Sequence, residues 1–278
     1  MLVMGNLIWD STGSVAALFR VREGSGGPAA LLPALAVLSG PSKLSTVEGA
    51  EMGPAGGPRW VLSVEVRGSG MTMPARLVAD AAGAAVLRPF GVARGCPSPR
   101  RAAAHRAAAG RLVAGLAAFR LGEMSAAEVR SALDAGGCGW REVRCCGYAT
   151  SVRDGHTGYR ACFVALPLKG VRAEWPLPVS DLPAAAWSVC VRPSRGAADV
   201  ALLGRIVAAD LVDLGERAAA LRGAVGERGW DLIRPGSGQA LLGAAMVPGP
   251  GDRRLPRNVF VPLPQASPDS VSGLLPVS

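Results

Sequence analysis

Lysine, histidine and aromatic residues are scarce in this sequence of 278 residues. Lys43 and Lys169 are the only lysines, so arginine supplies the other 28 of the 30 basic residues, and aromatic residues make up 5% of the chain. Proteins that bind RNA or single-stranded DNA stack the bases on exposed aromatic rings. Because such rings are so few, we expect no nucleic-acid partner.

Charged residues of either sign are also few, at 18% against 49% hydrophobic residues. A chain of this composition buries enough apolar surface to fold, which excludes a disordered protein. The formal net charge of +9 would by itself favour a polyanionic partner. The preference for arginine over lysine, together with abundant alanine and glycine, is instead typical of a GC-rich coding sequence. The net charge therefore says little about partners.

The sequence has no long hydrophobic run. Residues 28–38 come closest, but they are interrupted by Pro33 and fall short of the roughly 18 residues of a membrane-spanning helix. No basic segment precedes an apolar core at the N-terminus, so we predict neither a signal peptide nor a membrane anchor within the chain. These features favour a cytoplasmic protein.

The six cysteines show no C-x-x-C spacing, and the only histidines are His105 and His156. Structural zinc sites combine four such ligands at short, regular spacing. We therefore predict no metal site, reduced thiols, and cysteines that pack as small apolar side chains. The cysteines are Cys96, Cys138, Cys145, Cys146, Cys162 and Cys190.

Catalytic and cofactor motifs are missing as well. Neither lysine lies in a phosphate-binding loop, and no serine lies in a G-x-S-x-G turn. Residues 236–238 begin like a dinucleotide fingerprint, but Leu241 occupies the place of the required third glycine. We predict a protein that is not an enzyme and binds no cofactor. An enzyme that uses His156 with one of the cysteines remains an alternative.

One charged cluster is a candidate contact site. Arg100, Arg101 and Arg106 follow Pro99 near the start of a predicted helix. Arginines there add to the partial positive charge of the helix N-terminus and attract anions. The cluster is either a contact for an anion or an acidic partner, or a solvated face of the helix.

Hydrophobic patterning divides the chain into three parts. Residues 1–137 form an N-terminal α+β unit, residues 138–247 a second α+β unit, and the proline-rich residues 248–278 a tail. In the first unit we predict a hairpin over residues 7–22, short helices at 28–38 and 126–133, a half-buried strand at 59–67 and a long helix at 98–120. Ser125 and Glu128 form a capping box for the last helix.

The second unit shows the same mixture of strand-like and helix-like hydrophobic patterns. We predict strands at residues 140–148, 159–166, 187–192, 200–208, 230–234 and 239–247, with a helix from residue 211 capped by Asp210. The fold class is therefore α+β, with two sheet-plus-helix units whose mixed or antiparallel sheets carry helices on one face. An alternating strand led by Trp60 precedes one long helix, as a strand led by Trp187 precedes the other. This similarity is either a repeated plan or chance.

The order of these segments resembles the soluble part of the E component of the actinobacterial type VII (ESX) secretion machinery. The resemblance spans most of residues 7–247 and rests on structural motifs. They are the segments Ile8-Trp9-Asp10-Ser11-Thr12-Gly13, Trp60-Val61-Leu62-Ser63-Val64-Glu65-Val66, the helix at 101–119, Trp140-Arg141, the strand at 187–191, the helix at 211–225 and the Gln-led strand Gln239-Ala240-Leu241-Leu242.

The resemblance implies a non-catalytic scaffold subunit that acts by protein–protein contacts. Its partners would be other secretion-complex subunits, including a separate ATPase, and it could form an oligomer. Members of that family usually begin with membrane-spanning helices, which this sequence does not show. The protein would then lie peripheral to the inner membrane, through its partners or through an N-terminal segment missing from the chain.

The opening residues Met4-Gly5-Asn6-Leu7-Ile8-Trp9-Asp10 also resemble the amino-terminal domain of conjugative type IV secretion ATPases. That resemblance implies an accessory domain without the ATPase domain, since no phosphate-binding loop follows. It is the alternative to the scaffold hypothesis.

Overall fold

The structure, a computed structural model, describes most of the strands and helices and several connections. The described residues are 2–9, 15–21, 35, 41–47, 59–66, 99–114, 116, 121–135, 141–145, 149–153, 156–171, 173, 182–183, 186–194, 197–234, 239–249 and 255–262. The predicted helix at 28–38 lies outside these residues, apart from the buried Leu35.

Six strands and two helices of the first half have their bounds within the described residues. They are β1 (Leu2–Met4), β2 (Leu7–Trp9), β3 (Val15–Val21), β4 (Ser42–Val47), β5 (Arg59–Glu65), α1 (Pro99–Ala114), β6 (Leu121–Glu123) and α2 (Ala126–Ala135). The hairpin and the capped helix α2 agree with the sequence prediction. Strand β5 lies where a half-buried strand was predicted, but every residue from Trp60 to Val66 is buried, so the prediction of a solvent-exposed face is wrong. Strand β4 was not predicted.

In the part of the second half that the structure describes, six further strands and two further helices have their bounds. They are β7 (Arg141–Cys145), β8 (Ala149–Arg153), β9 (His156–Pro167), β10 (Ala186–Ser194), β11 (Ala197–Ala208), α3 (Leu211–Gly226), β12 (Trp230–Ile233) and α4 (Gln239–Met246). His156, the residue of the alternative enzyme hypothesis, is the first residue of β9 and pairs with Arg153.

All the described strands join one antiparallel sheet, whose main path runs β1-β2-β3-β5-β4-β10-β11-β9-β8-β7. The predicted α+β class with an antiparallel sheet is confirmed. Strands from the two predicted units meet where β4 pairs with β10, from Ser42 opposite Val191 to Ser45 opposite Ser188. We call this β4–β10 junction the seam.

The two halves have the same connectivity. Among the elements bounded in the described residues, each half has three sequential strands, then two strands that pair in reversed order, a 16-residue helix, a short strand and a second helix. The short strand, β6 or β12, pairs in each case with the third strand, β3 or β9. The two halves therefore repeat one plan, as the sequence suggested. The two tryptophans do not lie on equivalent strands, because Trp60 lies on β5, which corresponds to β11, whereas Trp187 lies on β10.

Helices cover both faces of the sheet, which corrects the prediction of helices on one face only. Ala17 and Phe19 of β3 belong to the core that includes residues of α1 and α3. Ala16 and Leu18 of the same strand pack in a second cluster with residues of α2. Because successive residues of a strand point to opposite faces, a strand buried at every position needs cover on both sides.

The predicted strand at 239–247 is wrong, because these residues form α4. Leu242, Ala245 and Met246 lie at helical spacing and are buried against Cys162 and Leu203. The segment is too apolar for its period to distinguish a buried helix from a buried strand. The predicted helix at 98–120 is also too long, since α1 ends at Ala114 and β6 begins at Leu121.

Part of the predicted tail is packed against the body. Leu255 is buried in the cluster that includes Cys190 and Leu203. A 3₁₀ turn (Arg257–Val259) follows, and β13 (Val261–Pro262) then pairs with β11 at Asp199 and Val200. The guanidinium of Arg192 lies 3.9 Å from the centre of the Phe260 ring.

Candidate functional site

The predicted arginine cluster lies on α1, the first long helix. Arg100 and Arg101 are in its opening turn, and their side chains are outside the described part of the structure. Arg106 is exposed, as is Arg111 five residues further along. The helix has no acidic residue in its first turn, so nothing on that turn offsets the arginine charges.

The buried face of α1 determines where Arg106 points. Ala102, His105 and Ala109 are buried at helical spacing. The His105 ring meets the Trp9 ring edge-on, with 6.0 Å between the ring centres and an interplanar angle of 82°. This contact with β2 sets the rotation of the helix, which leaves the next residue, Arg106, on the solvent side.

Arg106 lies over the turn between β1 and β2. Gly5 in this turn has φ +63, and a Cβ built on it would be 3.8 Å from Arg106 Nη2. A glycine adopts this left-handed conformation without steric cost and leaves the turn open to the guanidinium. The exposed positive charge is thereby placed beside the edge of the sheet that begins with β1.

A second group of polar residues is buried at the seam, and Lys43 is its centre. Its side chain is 2% exposed, and Nζ donates to the carbonyl oxygen of Ala245 at 2.8 Å and to that of Val247. The last carbonyls of a helix have no partner within the helix. Lys43, from the first half, therefore satisfies the C-terminal end of α4, from the second half.

Serine hydroxyls continue this polar group. Ser45 Oγ and Ser188 Oγ are 2.9 Å apart across the seam, and Ser188 Oγ donates to the Met246 carbonyl at 3.2 Å. Ser63 Oγ accepts from the Gly249 amide at 2.9 Å. The last residues of α4 and the segment after it are thus bonded to three neighbouring strands, β4, β5 and β10.

Gln239, the first residue of α4, bonds to the middle of β9. Its Oε1 accepts from the Cys162 amide at 2.7 Å, and its Nε2 donates to the Cys162 carbonyl at 2.9 Å. Cys162 lies between the residues of β9 that pair with β8 and those that pair with β12. The side-chain amide replaces the missing strand at this gap, because it offers the same donor and acceptor as a peptide unit.

These buried polar side chains serve the internal structure. The Lys43 ammonium is bonded to carbonyl oxygens, and the Ser45 and Ser188 hydroxyls are fully shielded from solvent. A nucleophilic serine requires a base that accepts its proton, whereas Ser188 gives its hydrogen to a helix carbonyl. This arrangement joins elements together and offers no reactive group to a substrate.

Other titratable groups do not form a reactive site within the described ranges. No group of three or more His, Cys, Asp and Glu residues among them is close enough to hold a metal ion. The hydrogen bond and charge of Asp213 raise the pKa of Arg217 on the exposed face of α3. Cys162 and Cys190 are buried and are not in disulfide bonds, which agrees with the prediction of reduced, packed thiols.

Sequence reasoning missed Lys43, Ser188 and Gln239. Lys43 could have been noticed as one of only two lysines, but the mostly polar run Ser42-Lys43-Leu44-Ser45 gave no strand signal around it. Ser188 lies within the predicted strand at 187–192, and its alternation with Trp187 and Val189 does not show that α4 covers its face. Gln239 was noted only as the first residue of a predicted strand, because its bonding role depends on the gap beside β9.

Comparison with known protein families finds none that matches the chain, and comparison with curated proteins finds no similar sequence. Within the described part of the chain, none of the helices has both the length and the hydropathy to cross a bilayer.

Proposed function

We propose that this protein is a non-catalytic scaffold subunit of an actinobacterial type VII secretion complex. The resemblance in segment order suggests the complex, and the chemistry of the described residues favours a role by contact. The observation that carries the proposal is the internal use of the buried polar groups: Lys43, Ser188 and Gln239 all bond to backbone atoms of the same chain. The surface, not an interior cleft, is then the working part.

The contact surface we assign is the arginine face of α1, formed by Arg100, Arg101 and Arg106. The acid-free first turn and the exposed Arg106 support this assignment. Such a surface suits an acidic segment of another subunit, because charge complementarity speeds encounter and sets orientation. The membrane would be reached through these partners, and the ATPase of the complex would be a separate chain.

The proposal is tested by affinity purification of the tagged full chain from native membranes. We expect membrane-bound secretion subunits to co-purify, and recovery of none of them would contradict the proposal. Arg106→Glu should reduce the recovery about tenfold, as expected for reversal of a charge in a contact of opposite sign. Arg130→Glu is the matched control, since Arg130 is an exposed arginine on α2, on the opposite face of the sheet.

Gene neighbourhood separates this proposal from the alternative of a conjugative accessory domain. A secretion scaffold should be encoded beside a pair of small secreted substrates and a membrane serine protease. A conjugative domain should be encoded beside a relaxase and a coupling protein. The second arrangement, together with co-purification of conjugation proteins, would replace the proposed function.

A further inference from the structure

The two long helices, α1 and α3, lie on the same face of the sheet. Residues of both helices belong to one core cluster, and the helices contact β3 and β9, which are equivalent strands of the two halves. Because β4 and β10 are also equivalent and pair antiparallel, α1 and α3 run in opposite directions on this face. Together they form one helix layer, whose two members are related by an approximate twofold axis at the seam.

The outward side of α1 is basic. The helix contains four arginines and no acidic residue. Arg111 is exposed, and it shares a side of the helix with the exposed Ala107 and Ala114, four residues before it and three after it. Arg111 is about 140° around the helix from Arg106, since each residue turns an α-helix by about 100°. Arg111 therefore belongs to a different surface from the one that Arg106 forms beside β1.

The outward side of α3 is acidic and apolar. Val212, Glu216, Ala219 and Gly223 are exposed and recur at helical spacing, so they share one side of this helix. Val212 is 72% exposed, more than any other large hydrophobic residue in the described part of the chain. A valine exposed on a helix beside a carboxylate is a feature of a contact surface.

The bases of α3 do not neutralise Glu216. Arg217 is bonded to Asp213 at 2.7 Å, and Arg222 donates to the Leu232 carbonyl at 3.4 Å. Neither Glu216 nor Arg111 has an ion pair among the residues that the structure describes. One helix of the layer thus presents an open positive charge to solvent, and the equivalent helix presents an open negative charge.

We propose that this helix layer is the interface of a homodimer, in which α1 of each copy packs against α3 of the other. A second copy fits because the chain itself carries both charges, on equivalent helices of one face. Facing the layer across a twofold axis parallel to the strands of the seam, it makes both contacts at once, as in a closed symmetric dimer.

Arg111 of each copy then faces Glu216 of the other, and Val212 is removed from water at the same contact. The short side chains of Ala107, Ala219 and Gly223 allow the helices to approach closely, because the distance between packed helices depends on the side chains at the contact. The homodimer does not depend on the proposed secretion role, which uses the surface around Arg106.

Sedimentation equilibrium of the purified full chain measures the dimer, and charge reversal tests its contacts. Arg111→Glu and Glu216→Arg should each weaken dimerisation at least about tenfold, because each brings like charges together. An equimolar mixture of the two variants should dimerise like the wild type, since both contacts of the mixed dimer join opposite charges. Arg130→Glu, on α2 across the sheet, is the matched control and should leave the dimer unchanged.

The mixture also separates loss of contact from loss of folding. Both substituted side chains are exposed, so the circular dichroism of each variant should match that of the wild type. A monomeric wild-type chain, single variants that dimerise like the wild type, or a mixture of folded variants that stays monomeric would each overturn the proposal. None of these results bears on co-purification with membrane subunits, so the homodimer and the proposed function fail separately.

Discussion

The two halves of the molecule share one connectivity but satisfy their buried polar groups differently. In the first half, the Leu18 amide at the gap in β3 bonds to the Asn6 backbone carbonyl at 2.8 Å. In the second half, the corresponding gap at Cys162 is closed by the Gln239 side chain. The same topology therefore tolerates a backbone or a side-chain solution, provided that the donor and acceptor are both supplied.

The second helix of each half shows the same contrast. α2 begins with a capping box, in which the Ser125 amide donates to Glu128 at 2.8 Å and the Glu128 amide to Ser125 Oγ at 3.3 Å. α4 begins with the buried Gln239, and its C-terminal end is bonded to Lys43 across the seam. Helix α2 is thus capped by contacts within its own first turn, whereas α4 is held by contacts between the two halves.

Among the residues that join the two halves, Lys43 should contribute most to the free energy of unfolding. We expect Lys43→Met to lower the free energy of unfolding by about 3 kcal/mol, because it leaves the Ala245 and Val247 carbonyls buried without donors. Lys169→Met is the matched control, since Lys169 is exposed and its substitution should cost less than about 0.5 kcal/mol. Urea unfolding measures both, and equal effects would contradict the role of Lys43.

Substitution of Gln239 should have the second largest effect on the free energy of unfolding. Gln239→Met keeps the length of the side chain but loses both bonds to Cys162, and we expect a cost of about 2 kcal/mol. Amide hydrogen exchange reports on the two halves separately. The Cys162 amide should lose protection while the Leu18 amide keeps it, and loss of protection at both would mean that the gaps are not independent.

A smaller effect is expected at the hydroxyl pair of the seam. Ser45→Ala and Ser188→Ala should each cost about 1 kcal/mol, and the double variant should cost less than the sum because the hydroxyls bond to each other. A double-mutant cycle in urea measures the coupling. Strict additivity would show that the 2.9 Å contact contributes nothing.

The smallest effect is expected at the capping box of α2. Ser125→Ala should cost about 0.5 kcal/mol, because the exposed end of the helix can bond to water instead. Ser131→Ala, at an exposed position inside the same helix, should be neutral or slightly stabilising, since alanine favours helix. A cost for Ser131→Ala as large as that for Ser125→Ala would contradict the capping interpretation.

Most of the strands could be predicted because alternation along the chain is a local property. The run from Trp60 to Val66 shows it clearly, and the one exception, Val61, is buried in the second cluster instead. Helix α3 was equally clear, with Asp210 accepting from the Asp213 amide at 2.8 Å, as a helix cap does.

The seam could not be predicted, because its polar residues look like solvent-exposed ones in the sequence. Lys43 and Ser45 lie in a mostly polar run, and Ser188 alternates with Trp187 and Val189 as an exposed side chain would. They are buried because α4 ends over them, and the position of α4 depends on contacts with β9 and β11 that are distant in sequence. Only the tertiary structure shows that these side chains face a helix end.

The arginine face was predicted from composition and spacing, and the structure adds its orientation. His105, on the turn that carries Arg106, is buried against Trp9. The histidine is thus a packing residue that helps to direct the exposed arginine outward. Because His105 packs inward and Arg106 points outward on the same helical turn, Arg106 is accessible for the proposed contact.

Photo-crosslinking from position 106 tests the scaffold proposal most directly. The full chain carrying p-benzoylphenylalanine in place of Arg106 is irradiated in native membranes, with the same substitution at Arg130 as the control. We predict crosslinks from position 106 to another subunit of a secretion complex, and none of comparable yield from position 130. Equal crosslinking from both positions, or no protein crosslinked to position 106, would contradict the proposal.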